Sequence, residues 1–129
     1  MQNDLDAGHP QLNIHILGVN AAGLESGNAF ITSGRDIPWL QDHDVNGDGL
    51  SDVWRSWNVT YRDVVILDAE NARVGTFNLT THDLGVPANY NTLRQMFVDA
   101  ASVPEPTSLV LLVLGAASLL TRTRGRRKT

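Results

Sequence analysis

A mixed α/β sandwich, interrupted by one acidic loop and followed by a separate apolar helix, is the fold class that three features of this 129-residue sequence predict. An early segment alternates apolar and polar residues, two later β-rich segments are joined by a short turn, and a helical pattern follows them. A chain of this length supports one compact domain rather than two. The expected division is a domain over residues 1–102 and a tail over 103–129.

The first element is Leu12 to Gly18, where apolar residues at 12, 14 and 16 alternate with polar ones and a glycine ends the run, the period of a half-buried strand. Ser26 to Ser33 reads as a short helix. Asp63 to Leu67 (DVVIL) and Arg73 to Leu79 (RVGTFNL) read as a second and third strand, joined by Asp68-Ala69-Glu70-Asn71, whose length and composition suit a hairpin turn. Because VVIL is apolar throughout, that strand is expected to be interior. Asn89 to Ala101 reads as a helix capped by Asn89 or Asn91, with Leu93, Met96, Phe97 and Ala100 on one face.

This order of strand, helix, strand, strand, helix, with Val64-Val65-Ile66-Leu67-Asp68 in its third slot, resembles the thioredoxin-like fold from its second strand onward. The resemblance implies that the first strand and the helix bearing a Cys-x-x-Cys pair lie upstream of Met1, and that Arg62 or its neighbours stand where that family places a cis-proline. On this reading the natural start lies before Met1, and Leu12 to Gly18 lacks its central neighbour. It then either pairs directly with Asp63 to Leu67 or remains an open edge. The chain has no cysteine, which excludes disulfides, thiolate metal sites and thiol redox chemistry for the residues present. A non-catalytic domain is the expectation. The alternative is the remnant of a thiol-disulfide oxidoreductase whose active half lies upstream.

The strongest chemical pattern is Asp44-Val45-Asn46-Gly47-Asp48-Gly49-Leu50-Ser51-Asp52. Oxygen-bearing side chains at loop positions 1, 3, 5 and 9, a glycine at 6 for the sharp turn and a backbone carbonyl at 7 are what a hard cation such as calcium gathers around itself. The ligands would be Asp44, Asn46, Asp48, the Leu50 carbonyl and Asp52. Arg55 stands where an EF-hand needs its twelfth-position glutamate, so a helix-loop-helix is not expected. The spacing more closely resembles the short calcium loops of FG-GAP and VCBS-type surface repeats, present here in a single copy. Calcium is expected to be structural; the competing reading is a solvated Asn/Asp/Gly turn that needs no metal.

Other polar candidates are weaker. His9, His15, His43 and His82 lack metal-ligand spacing, and His43 adjoins the acidic loop without joining its pattern. Trp39, Trp54 and Trp57 bracket the loop and are expected to pack it in place; the competing role is an aromatic surface for glycans. Asn58-Val59-Thr60 and Asn78-Leu79-Thr80 match the glycosylation sequon, a three-residue pattern that carries little weight by itself.

Charge is divided along the chain. Residues 1–102 hold 13 acids against Arg35, Arg55, Arg62, Arg73 and Arg94, a net of −8, whereas residues 103–129 hold Glu105 against Arg122, Arg124, Arg126, Arg127 and Lys128, a net of +4. The acidic body is an improbable nucleic-acid ligand, and the basic end suits an anionic membrane surface. Between them Ser108 to Leu120 runs thirteen residues without a charge. As a helix that is about 20 Å, short against a hydrocarbon core of roughly 30 Å. Basic flanks stay cytoplasmic, so the body is expected outside the cytoplasm. Two prolines in Val103-Pro104-Glu105-Pro106 set a boundary before the helix.

The order of Pro104-Glu105-Pro106, an apolar run and an arginine cluster resembles the PEP-CTERM sorting signal of certain bacteria. That resemblance implies insertion in the inner membrane through residues 108–120, recognition of Val103, Pro104, Glu105 and Pro106 by an exosortase-type protease, and passage of the body to the cell envelope or surface. It also implies an N-terminal export signal. None is present at Met1-Gln-Asn-Asp-Leu-Asp, so the export signal too is expected upstream. The function expected is that of a surface-sorted, non-catalytic protein with a structural calcium loop. A calcium-dependent module for envelope polysaccharide is the further alternative.

Overall fold

The structure, a computed structural model, describes residues 1–102. The expected membrane helix 108–120, the Val103-Pro104-Glu105-Pro106 motif and the basic cluster Arg122, Arg124, Arg126, Arg127 and Lys128 lie outside the described residues. Among the described residues, no helix is long and apolar enough to cross a membrane. They form a mixed α/β arrangement of small sheets and short helices: α1 (Gln2–Gly8), β1 (Gly18–Asn20), a 3-10 turn (Glu25–Gly27), α2 (Asn28–Thr32), β2 (Trp39–Gln41), α3 (Asp52–Ser56), β3 (Asp63–Leu67), β4 (Arg73–Asn78) and α4 (Pro87–Ala101).

The C-terminal half is built as its apolar pattern dictates. β3 and β4 pair antiparallel with Val64 opposite Phe77 and Ile66 opposite Gly75, and a bulge follows at Ile66/Leu67. The turn is closed by the Asp68 carboxylate, which accepts from the Glu70 and Ala72 amides at 3.1 and 2.8 Å, while Asn71 takes the left-handed φ of 62° that asparagine tolerates. α4 lies on this hairpin. Leu93, Ile66 and Phe77 are buried together, with Met96, Phe97 and Ala100 of α4 packed around them, so the helical face read from the sequence is the face that packs. Burying each such side chain contributes about 1.5–3 kcal/mol. At Gly75 an added Cβ would lie 3.1 Å from the Met96 terminal methyl, so the missing side chain makes room for Met96.

The N-terminal half is held by polar groups. Its sheet is β1 and β2 in parallel, Gly18 opposite Trp39 and Asn20 opposite Gln41, joined through α2. Buried Asn20 donates to the Leu24 carbonyl, to Asn28 Oδ1 and to Gln41 Oε1 at 2.8 to 3.2 Å, and Trp39 Nε1 donates to Asn28 Oδ1 at 2.8 Å. Buried Ser51 Oγ accepts from the Ala22 amide at 2.7 Å. Every buried side-chain nitrogen or oxygen among the described residues has such a partner, as burial in low dielectric requires. Phe30 and Leu40, by contrast, stay exposed.

Four expectations are corrected. The Leu12 to Gly18 strand is not one: ladder pairing starts only at Gly18. Residues 12, 14 and 16 are half-buried and 13, 15 and 17 exposed, so the alternation reported burial correctly. A side chain supplies what a neighbouring strand would have given: Gln2 donates to the Ile14 carbonyl and accepts from the Ile16 amide, both at 2.9 Å. β1 pairs with β2, not with Asp63 to Leu67, because Gly18 lets the Trp39 ring lie directly over its backbone where a Cβ would overlap it. DVVIL is not an interior strand: among the described residues it has β4 alone as hydrogen-bonded neighbour, and of its own residues only Ile66 is buried. Finally, α4 is not capped by Asn89 or Asn91. It starts at Pro87, whose fixed φ suits the first turn and whose missing N–H is an orphan there anyway, and Asn89 instead donates to the Asp83 carbonyl at 3.0 Å. No ladder joins the two sheets among the described residues.

Candidate functional site

The acidic loop lies between β2 and α3. Its base is closed where the Asp52 amide donates to the His43 carbonyl at 2.9 Å, and Gly47 and Gly49 take φ of 73° and 83°, the left-handed turns that the glycines permit. Asp44 organises the interior. Its Oδ1 accepts from the Gly47 and Asp48 amides at 2.9 and 3.1 Å, and its Oδ2 from the Gly49 amide at 2.7 Å. Asp52 Oδ2 accepts from the Val45 amide at 3.1 Å, tying the end of the loop to its start.

The two remaining side chains expected as ligands, Asn46 and Asp48, face each other and a cation of the chain itself. Asn46 Nδ2 donates to Asp48 Oδ2 at 3.2 Å, and the Arg55 guanidinium donates to the same oxygen as a salt bridge on the exposed side. Desolvation pushes the Asp48 carboxyl upward, but the bonds from Arg55, the Leu50 amide and Asn46, with the Arg55 charge, leave it below the ordinary value. The Leu50 amide donates to Asp48 Oδ1 at 3.0 Å.

For a metal, the fit is partial. Asp44, Asn46, Asp48, Leu50 and Asp52 share one loop as expected, yet their carboxylates point at backbone amides and at Arg55. Among the described residues, no group of three or more His, Cys, Asp or Glu side chains converges as a metal cage. Each carboxylate oxygen that accepts one N–H keeps a second lone pair. Arg55, at the position where an EF-hand carries glutamate, instead pairs with Asp48.

Sequence reasoning passed over Asp42. It is 4% exposed, and its carboxylate accepts from the His43, Val53 and Trp54 amides at 2.7 to 3.4 Å, so it satisfies the orphan N–H groups opening α3 and anchors the far side of the loop. No local signal marks it, since it stands ten residues before the helix it serves. The tryptophans divide. Trp39 covers Gly18, Trp54 is half-buried and Trp57 is exposed, and none packs against the Ile66, Phe77 and Leu93 cluster. A second unexpected feature is a shallow depression of about 510 Å³ lined by Thr60, Tyr61, Asp63, Asn78, Thr80 and Thr81. Asp63 is held there below the usual carboxylate range by the Thr60 amide and then by Asn78, against a smaller upward push from desolvation.

In comparison with known proteins, a PEP-CTERM protein-sorting motif matches residues 102–128. No curated protein and no solved structure is significantly similar to the chain. The motif covers the Pro104-Glu105-Pro106 segment, the apolar run and the basic cluster together, and it implies export, recognition by the membrane protein exosortase and sorting anchored at the C-terminal end.

Proposed function

We propose that the acidic body is the cargo of this sorting signal: a non-catalytic surface domain whose Asp44–Asp52 loop is stiffened by calcium once outside the cytoplasm. The observation that carries the reading is the motif match over residues 102–128, joined to a body of net charge −8 ending in a basic tail. Residues 108–120 enter the inner membrane with the arginine cluster on the cytoplasmic side, and exosortase acts near Val103, Pro104, Glu105 and Pro106. Replacing Pro104-Glu105-Pro106 by alanines should hold the protein in the membrane fraction of a host that carries the protease. Unchanged delivery to the surface would show that the motif does not act.

Calcium rests on the spacing of Asp44, Asn46, Asp48, Leu50 and Asp52. Binding requires Asp48 to leave Arg55 and the free lone pairs of Asp44 and Asp52 to turn onto one ion. At free calcium about 100-fold above the dissociation constant, linkage adds about 2.7 kcal/mol, several degrees of melting temperature for a domain of this size. A melt that calcium and chelator leave unchanged would remove the metal. The thioredoxin-like reading of the body rests on element order alone, β1 and α2 followed by the β3–β4 hairpin and α4, with β2 and α3 standing between them. A second reading, an envelope polysaccharide module, is favoured by the open depression where exposed Tyr61 stands among Thr60, Thr80, Thr81 and Asn78. A glycan-binding assay with Tyr61→Ala separates it from a purely structural domain.

A further inference from the structure

Of the ten asparagines in the sequence, only Asn46 is followed by glycine, and the structure surrounds that peptide with groups suited to one reaction. A backbone amide nitrogen attacks the side-chain carbonyl of the preceding asparagine most readily when the attacking residue has no Cβ to crowd the approach. Gly47 is such a residue, and an added Cβ there would meet nothing within 4 Å, so the space around it is open. Its N–H donates to Asp44 Oδ1 at 2.9 Å, which places a carboxylate on the proton the nitrogen must lose. The electrophile is also engaged. Asn46 Oδ1, where negative charge develops during attack, accepts at 3.3 Å from the Asp48 amide, an N–H it shares with Asp44 Oδ1 at 3.1 Å, and Asn46 Nδ2, the leaving nitrogen, donates to Asp48 Oδ2 at 3.2 Å.

We infer that Asn46 is a site of self-deamidation, with Asp44 drawing the proton from the Gly47 nitrogen and the Asp48 backbone amide stabilising the oxyanion. The Gly47 N–Asn46 Cγ bond forms and the Cγ–Nδ2 bond breaks. The proton taken from Gly47 ends on the departing nitrogen, which, with its own two hydrogens, leaves as ammonia. Water then opens the resulting succinimide at either carbonyl. One opening gives aspartate; the other gives isoaspartate, which routes the main chain through the former side chain. Either product adds a negative charge to the loop, and isoaspartate also lengthens the backbone between Asp44 and Asp48, resetting the loop's spacing with age. No metal is involved.

The test uses the full chain in mild detergent, with chelator, at neutral pH and physiological temperature, followed by peptide mass spectrometry that resolves aspartate from isoaspartate. Asn46 should convert well ahead of Asn71, which also sits in an exposed turn but is followed by alanine. It should convert faster in the native chain than in the same chain unfolded in urea, because the fold supplies the groups. Asp44→Asn keeps an acceptor of the same shape but removes the base. It should slow conversion about tenfold, below the ~100-fold and more that a positioned general base typically supplies. Conversion that is equal or slower in the native chain than in urea would overturn the inference, as would a rate that Asp44→Asn leaves unchanged or raises. In either case the loop would shield Asn46 or ignore it.

Discussion

Replacing Leu93 by alanine should remove a large share of the body's stability. Leu93 is 2% exposed and packs with Ile66 and Phe77 where α4 meets both strands of the hairpin. Truncating a buried leucine costs about 2–5 kcal/mol, the lost transfer energy plus a cavity that the surroundings close only in part. Natural domains hold roughly 0.05–0.15 kcal/mol per residue, or about 5–15 kcal/mol over residues 1–102. Only four apolar side chains are buried among the described residues, Leu5, Ile66, Phe77 and Leu93, which places this body toward the low end of that range. Leu93→Ala should therefore leave it close to its unfolding midpoint in dilute buffer. The assay is urea unfolding followed by circular dichroism, with Val74→Ala as control; Val74 is 55% exposed, and its truncation should change stability by no more than about 0.5 kcal/mol. If Leu93→Ala shifted the midpoint no further than Val74→Ala, the packing of α4 on the hairpin would be wrong.

Two further outcomes follow from the polar half and from the depression. Asp42→Ala strips the acceptor from the His43, Val53 and Trp54 amides, and should cost about 1.5–3 kcal/mol, the worth of bonds to a charged group. It should show first as faster hydrogen exchange at Val53 and Trp54, and unchanged protection there would refute the role. Asp63 is depressed in the folded state by the Thr60 amide and then by Asn78. Its contribution is therefore present above the unfolded carboxylate value and is lost as pH falls through the lower folded value. Asp63→Asn should flatten the acid limb of the stability curve in that window and leave the neutral plateau's shape unchanged; an identical acid limb in both proteins would refute it.

What was legible in the sequence followed the physics of each half. The hairpin and α4 were read nearly to the residue because local pattern and tertiary packing agree there: β-rich strands, an Asp/Asn turn, and Leu93, Met96, Phe97 and Ala100 on one face. The N-terminal half was not, because its order comes from side-chain hydrogen bonds between distant positions. Nothing in the sequence announces that Gln2 will stand in for a strand beside Ile14 and Ile16, that Gly18 will admit Trp39, or that Asn20 will gather Leu24, Asn28 and Gln41. α1 is similar: Leu5 is 1% exposed and Asp4 accepts from the Tyr90 hydroxyl, which holds the Tyr90 pKa above its ordinary value, yet a seven-residue polar helix gives no periodic signal. The acidic loop was legible as a turn. Its spacing suggested a cation, while the local geometry satisfies the same oxygens with Gly47, Asp48, Gly49 and Val45 amides and with Arg55.

Whether the tail directs sorting of the body is decided by the intact mass of the surface-delivered protein. Expressed with an export signal in a host that carries the matching protease, the mature chain should end near Pro104, without the apolar run or the arginine cluster. A surface fraction in which Arg126 and Arg127 are still attached would contradict it.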